Sequence, residues 1–204
     1  MGTPAVANVI KSGAVLWVAP TGEAAPDETT VAFGAAWGGN WERVGFTKEP
    51  LAMAYESEEF DVEVEEELAP IKRRRIKENV TLETVLAELT AEYLQLAASN
   101  QDTVSETGAG AAQKAYEQTG LGGEAILTEK KWGFEGLFIT SGGDEEPVRV
   151  FVHKGTAMVN GALEFSKKSS DYVGVPIQIK GLCDTTQSDG QKLVLFQRVT
   201  SETT

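Results

Sequence analysis

Residues 58–89 begin Glu58-Glu59-Phe60-Asp61-Val62-Glu63-Val64-Glu65-Glu66-Glu67, turn through Leu68-Ala69-Pro70, and return as Ile71-Lys72-Arg73-Arg74-Arg75-Ile76-Lys77 before a Val-, Thr- and Leu-rich stretch ending at Leu89. In the first limb, strict alternation puts Phe60, Val62 and Val64 on one face of a strand and Glu59, Asp61, Glu63, Glu65 and Glu67 on the other. Same-face carboxylates in a strand stand about 6.6 Å apart, so this file repels itself unless cations offset it. The return limb supplies them. A three-residue turn pairing Glu67 with Ile71 sets Glu65 opposite Arg73, Glu63 opposite Arg75 and Asp61 opposite Lys77, and the same register brings Val62 to Ile76 on the apolar face. Both limbs exceed the usual strand of about five or six residues, so the hairpin is expected to project beyond a compact domain. Its charged residues, Glu59, Asp61, Glu63, Glu65, Glu67, Arg73, Arg74, Arg75 and Lys77, are candidates for contact with another copy of the chain.

Around this hairpin the pattern is that of a β protein. Short strands are expected at Ala14–Val18, Trp41–Phe46, Leu51–Glu56, Ala125–Lys131, Phe134–Thr140, Val148–His153, Ala162–Ser166, Val175–Leu182 and Lys192–Val199, with turns at Ser141-Gly142-Gly143-Asp144 and Asp189-Gly190. Thr90 can cap one short helix, Ala91–Ala98, whose buried face would be Tyr93, Leu94 and Ala97. Residues 1–40, loose and rich in Ala, Gly, Pro and Thr, are expected to form an N-terminal arm and loop. Residues 41–204 are expected to form one domain with an insertion at 99–124, which holds a helical patch from Ala111 to Thr119. The fold class is mainly β: an antiparallel sandwich or barrel with one short flanking helix and a long projecting hairpin.

Composition narrows the function. The chain has 204 residues and a formal net charge of −13, which argues against gripping nucleic acid or anionic membrane over its whole surface. No run reaches the eighteen or so apolar residues of a membrane-spanning helix. The single cysteine, Cys183, cannot form an internal disulfide and is expected to be structural. With His153 as the single histidine, no His and Cys cluster for zinc is available. Gly120-Leu121-Gly122-Gly123-Glu124-Ala125 meets the loose dinucleotide pattern in the wrong strand and helix order. No cofactor, metal site or catalytic constellation is expected, and the chain is not expected to be an enzyme. His153 is expected at an edge or surface, and Trp37, in a glycine-rich loop, is a candidate contact residue.

The span from Phe60-Asp61 through Ala69-Pro70-Ile71 to Leu86-Ala87-Glu88-Leu89-Thr90 and Glu92-Tyr93-Leu94 resembles the major tail tube proteins of long-tailed, siphovirus-like bacteriophages. So does the close, Val173-Gly174-Val175-Pro176-Ile177-Gln178-Ile179-Lys180-Gly181-Leu182-Cys183-Asp184, followed by Leu193-Val194-Leu195-Phe196. The resemblance covers roughly residues 41–98 and 148–199, and residues 99–123 depart from it. It implies a β-sandwich of which six copies close a ring, rings that stack into the tube conducting DNA during ejection, and a place in the virion after assembly in the host cytoplasm. It also implies a tape measure protein, a tail terminator and distal tail or baseplate proteins as partners, with DNA passing the lumen without specific binding. Two alternatives stand beside it: the inner tube of a contractile tail or injection particle, and a monomeric carbohydrate-binding β-sandwich whose tryptophans stack on sugars.

Overall fold

A computed structural model describes residues 13–27, 31–100, 103–110, 113–139, 145–163, 165 and 173–199. The strands are β1 (Val15–Pro20), β2 (Glu42–Arg43), β3 (Ala52–Val62), β4 (Lys72–Leu86), β5 (Ser105–Thr107), β6 (Tyr116–Gln118), β7 (Lys130–Ile139), β8 (Glu145–Val159), β9 (Val175–Gly181) and β10 (Val194–Arg198), and the helix is α1 (Ala91–Ala97). Eight strands form one antiparallel sheet in the order β2-β1-β7-β8-β9-β4-β3, with β10 also on β8. The fifteen-residue β8 is shared. Its residues Val148–Val152 pair with both β7 and β10, whereas Thr156–Val159 pair with β9. The sheet thereby divides into two wings, and side chains from both meet in one core that includes Leu16, Val18, Trp132, Val152, Leu82, Leu86, Ile177 and Ile179.

The wing made of β1, β7 and β8 is covered on its second face too. There Trp17, Ala19 and Phe151 meet Trp37 and Trp41 from the segment before β2. Burial on both faces explains the unbroken apolar run of β1, which an alternating strand would lack. Within residues 1–40 the strand expected at Ala14–Val18 forms as Val15–Pro20, paired with β7. Residues 1–12 lie outside the described residues.

The helix starts where its cap predicts: Thr90 is extended and its hydroxyl accepts the Tyr93 N–H at 3.1 Å. Ala97 is buried, with Tyr93 and Leu94 packed on the core. The Tyr93 hydroxyl in turn accepts the Gly45 N–H at 3.1 Å.

Several expectations are corrected. The strand expected at Leu51–Glu56 and the first half of the hairpin's first limb are one continuous strand, β3, which ends at Val62. The helical patch expected from Ala111 to Thr119 contains strand β6, which pairs with β5 in a sheet of its own. Ala125–Glu129 are not strand, and β7 begins at Lys130. Among the described residues of 161–165 none is strand. The turn at 141–144 lies outside the described residues.

Candidate assembly surface

The hairpin departs from the sheet. β4 pairs with β9 only from Thr81 to Leu86, so from Lys72 to Asn79 it pairs with β3 alone, a ribbon roughly 26 Å long at about 3.3 Å per residue. Both strands of this ribbon are exposed except at the half-buried Asp61 and Val62, with Phe60 at 57% and Ile76 at 60%.

Its register differs from the expected one by four residues. Val62 faces Lys72, Asp61 faces Arg73 and Glu59 faces Arg75, because the chain leaves the ladder after Val62 rather than after Glu67. The Ile71 N–H donates to the Val62 carbonyl at 2.9 Å and closes a longer connection, inside which the Glu67 N–H donates to Val64 at 3.3 Å. Four glutamates within five residues repel one another, and Pro70 has no N–H to give a ladder. Glu63, Glu65 and Glu67 therefore sit exposed in the connection and make no ion pair among the described residues. As far as Arg75 a shift of four preserves which face each side chain takes, so acid still opposes base; beyond Ile76 the shift is three, and Lys77 changes face to stand opposite Glu58.

The structure splits the basic run between two faces. Arg73 grips Asp61 with two hydrogen bonds, Nε to Oδ1 at 2.6 Å and Nη2 to Oδ2 at 3.0 Å, and its Nε lies 3.5 Å from Glu59. Arg75 donates to Glu78 at 2.6 Å and to the Tyr55 hydroxyl at 3.1 Å, while Tyr55 donates to Glu78. The guanidinium of Arg73 holds the Asp61 carboxyl below its ordinary range. Hydrogen bonds from Tyr55 and then Arg75 lower that of Glu78. Arg75 and Glu78, three apart, share a face because Ile76 is an extra residue: Glu59 pairs with Arg75 but Glu58 with Lys77. The opposite face carries Lys72, Arg74 and Lys77, which make no ion pair among the described residues, around Phe60 and Ile76.

The second face of the β1–β7–β8 wing holds charge of another kind. Glu135 and Arg149 are cross-strand partners, are 0% and 1% exposed, and approach to 3.5 Å. Each also binds the covering segment: Glu135 accepts the Gly34 N–H at 2.9 Å, and Arg149 donates to the Val31 carbonyl. Nearby, Lys131 donates to the Glu23 carbonyl at 2.7 Å and lies over the rings of Trp41 and Phe151. Burial lowers the pKa of Lys131. These buried polar groups hold the backbone of the covering segment to the sheet.

Two expectations fail here. Trp37 is not an exposed contact residue but 4% exposed, stacked on Trp17 at 4.9 Å and edge-on to Trp41 at 4.8 Å. The signal for this was Gly133 in the middle of β7, since a Cβ there would stand 2.5 Å from the Trp37 ring; glycine inside a strand marks close approach. His153, expected at the surface, is 5% exposed, and its pKa is lowered first by burial and then by Lys131. Cys183 is exposed. All four tryptophans are buried, so none offers a ring for stacking on sugar.

The second wing, β8-β9-β4-β3, is free at both ends among the described residues: β3 has only β4 beside it, and Thr156–Val159 of β8 have only β9. A comparison with protein families matches residues 1–192 to the phage tail tube protein family. The chain belongs to that family. Membership makes this tail tube protein a structural virion component that self-assembles into a tube. No curated protein matches the chain. No helix of the tail tube protein, among the described residues, is long and apolar enough to cross a membrane.

Proposed function

We propose that this chain is the major tail tube protein of a long, non-contractile phage tail, that six copies close into a ring, and that stacked rings form the channel through which DNA leaves the particle. One observation carries the reading: among the described residues the β8-β9-β4-β3 wing ends in two unpaired strand edges, β3 and Thr156–Val159 of β8. The first four residues of the β3 edge, Ala52–Tyr55, carry no charge and no proline and invite pairing, and head-to-tail pairing around a ring leaves no edge. Six copies of four strands, spaced about 4.8 Å and tilted by about 40°, close to a backbone diameter of roughly 48 Å.

The exposed face of the same wing becomes the channel wall. It presents Ala52, Ala54, Thr81 and Gln178, with Lys180 opposite Thr81 and Glu83 held by Gln178 and by Asn160 at 3.4 Å. Small, polar and acidic groups outnumber the cation Lys180 on this wall, so it offers phosphate few sites and DNA slides. A tape measure protein inside the tube, a terminator at one end and distal tail proteins at the other are its expected partners. Electron microscopy of the purified protein tests this: rings with sixfold symmetry or hollow tubes are expected, and a monodisperse monomer at high concentration overturns it.

A further inference from the structure

We propose that the Lys72–Arg74–Lys77 face of the hairpin docks on a second copy of this chain, in the cleft between α1 and β2. This rests on the tube reading and deepens it by assigning the two sides of the contact. The division of the arginines motivates it. On one face Arg73 and Arg75 are consumed by Asp61, Glu59, Glu78 and Tyr55. On the other, Lys72, Arg74 and Lys77 flank two exposed apolar side chains, Phe60 and Ile76; Glu58 stands across the ladder from Lys77, yet none of the three cations makes an ion pair among the described residues. An apolar centre ringed by unpaired cations is what one side of an interface with an acidic surface looks like.

The chain itself supplies that surface. Its net charge is −13, and a cleft of about 360 Å³ has Val18 and Leu96 in its lining with Glu42 and Glu92 beside them. Lys130 also lines it, but neither glutamate makes an ion pair among the described residues, and Glu117 stands at the adjoining helix start, accepting the Ala91 N–H at 3.1 Å. The cleft thus offers two apolar side chains, Val18 and Leu96, among the polar Gln95, Ser99, Asn100 and Thr128, with Glu42 and Glu92 unpaired beside them, and the two glutamates are what complements the cations of the hairpin face. Hairpin and cleft lie on different parts of the chain, so the contact is heterologous and propagates from copy to copy rather than closing a dimer.

A photo-cross-linking residue placed at position 74 of the full chain decides the contact. The expected product joins two chains, and mass spectrometry maps the junction to β2 or α1. A junction elsewhere, or no intermolecular product, overturns the docking, whether or not the preparation contains rings; the ring reading is judged separately by microscopy. Reversing the face with Lys72→Glu, Arg74→Glu and Lys77→Glu is expected to lower the fraction of protein in tubes at least tenfold at an unchanged melting temperature. Adding Glu42→Arg and Glu92→Arg to the same chain is expected to restore it. Normal tubes from the triple variant, or no recovery in the combined one, overturn the assignment.

Discussion

Glu135 with Arg149 and Asp61 with Arg73 are the same chemical pair in the same setting, an acid facing an arginine across an antiparallel ladder. Their surroundings differ. The first pair is 0–1% exposed beneath a covering segment; in the second, the side chains are 33% and 64% exposed on a free ribbon. Buried, a charge that loses its partner stays desolvated and unpaired; exposed, it is taken up by water. The pair under the segment therefore holds the fold, whereas the one on the ribbon arranges charge on a surface.

The largest expected effect tests this contrast directly. Arg149→Ala strands Glu135 in the interior and frees the Val31 carbonyl, and is expected to destabilise the protein by about 3–5 kcal/mol in denaturant unfolding. A loss below 1 kcal/mol would mean that the buried pair does not anchor the segment. Next comes Gly133→Val. Its side chain would collide with Trp37 and Trp41, and overpacking of this kind is expected to cost about 1–3 kcal/mol while leaving the ribbon's arginine contacts intact.

A smaller effect is set by pH. With the folded-state pKa of His153 lowered by burial, the unfolded chain takes up a proton near pH 6.5 before the folded chain does, so stability falls as pH drops through 6.5 and below. Melting temperatures from pH 7.5 to 5 are expected to decline more steeply in the wild type than in His153→Leu; parallel curves would remove His153 from the account. The smallest effect belongs to the ribbon. Asp61→Asn is expected to leave the melting temperature unchanged, and a clear loss would show that the exposed pair supports the fold after all.

Much of this was legible in the sequence where one pattern had one solution. The alternation of β4, the cap at Thr90 and the apolar periodicity of Val175–Gly181 each admit a single local structure, and each formed. The hairpin register was not fixed in the same way, because a period-two charge pattern fits equally well after a slip of four residues. What decided it was the failure of Glu63–Glu67 to continue as strand, a matter of repulsion summed over several residues. Trp37 was misplaced for another reason. Its glycine neighbours signal a loop, and a loop is ordinarily exposed, but here it folds across a sheet whose strand has a glycine at the point of contact. That information lies about a hundred residues away in the chain.

The extra residue at Ile76 has a further consequence, for how this hairpin can change length. β4 is pinned at its sheet end, where Val80, Leu82 and Leu86 enter the core, so any residue added or removed before them rotates everything beyond by half a turn of the pleat. A single deletion there would hand the bonded arginines and the unpaired cations each other's orientation without altering one charge in the composition. Length in this limb is therefore counted in even and odd: related chains can differ by two residues at little cost, but a change of one would reverse which side of the ribbon its neighbour meets.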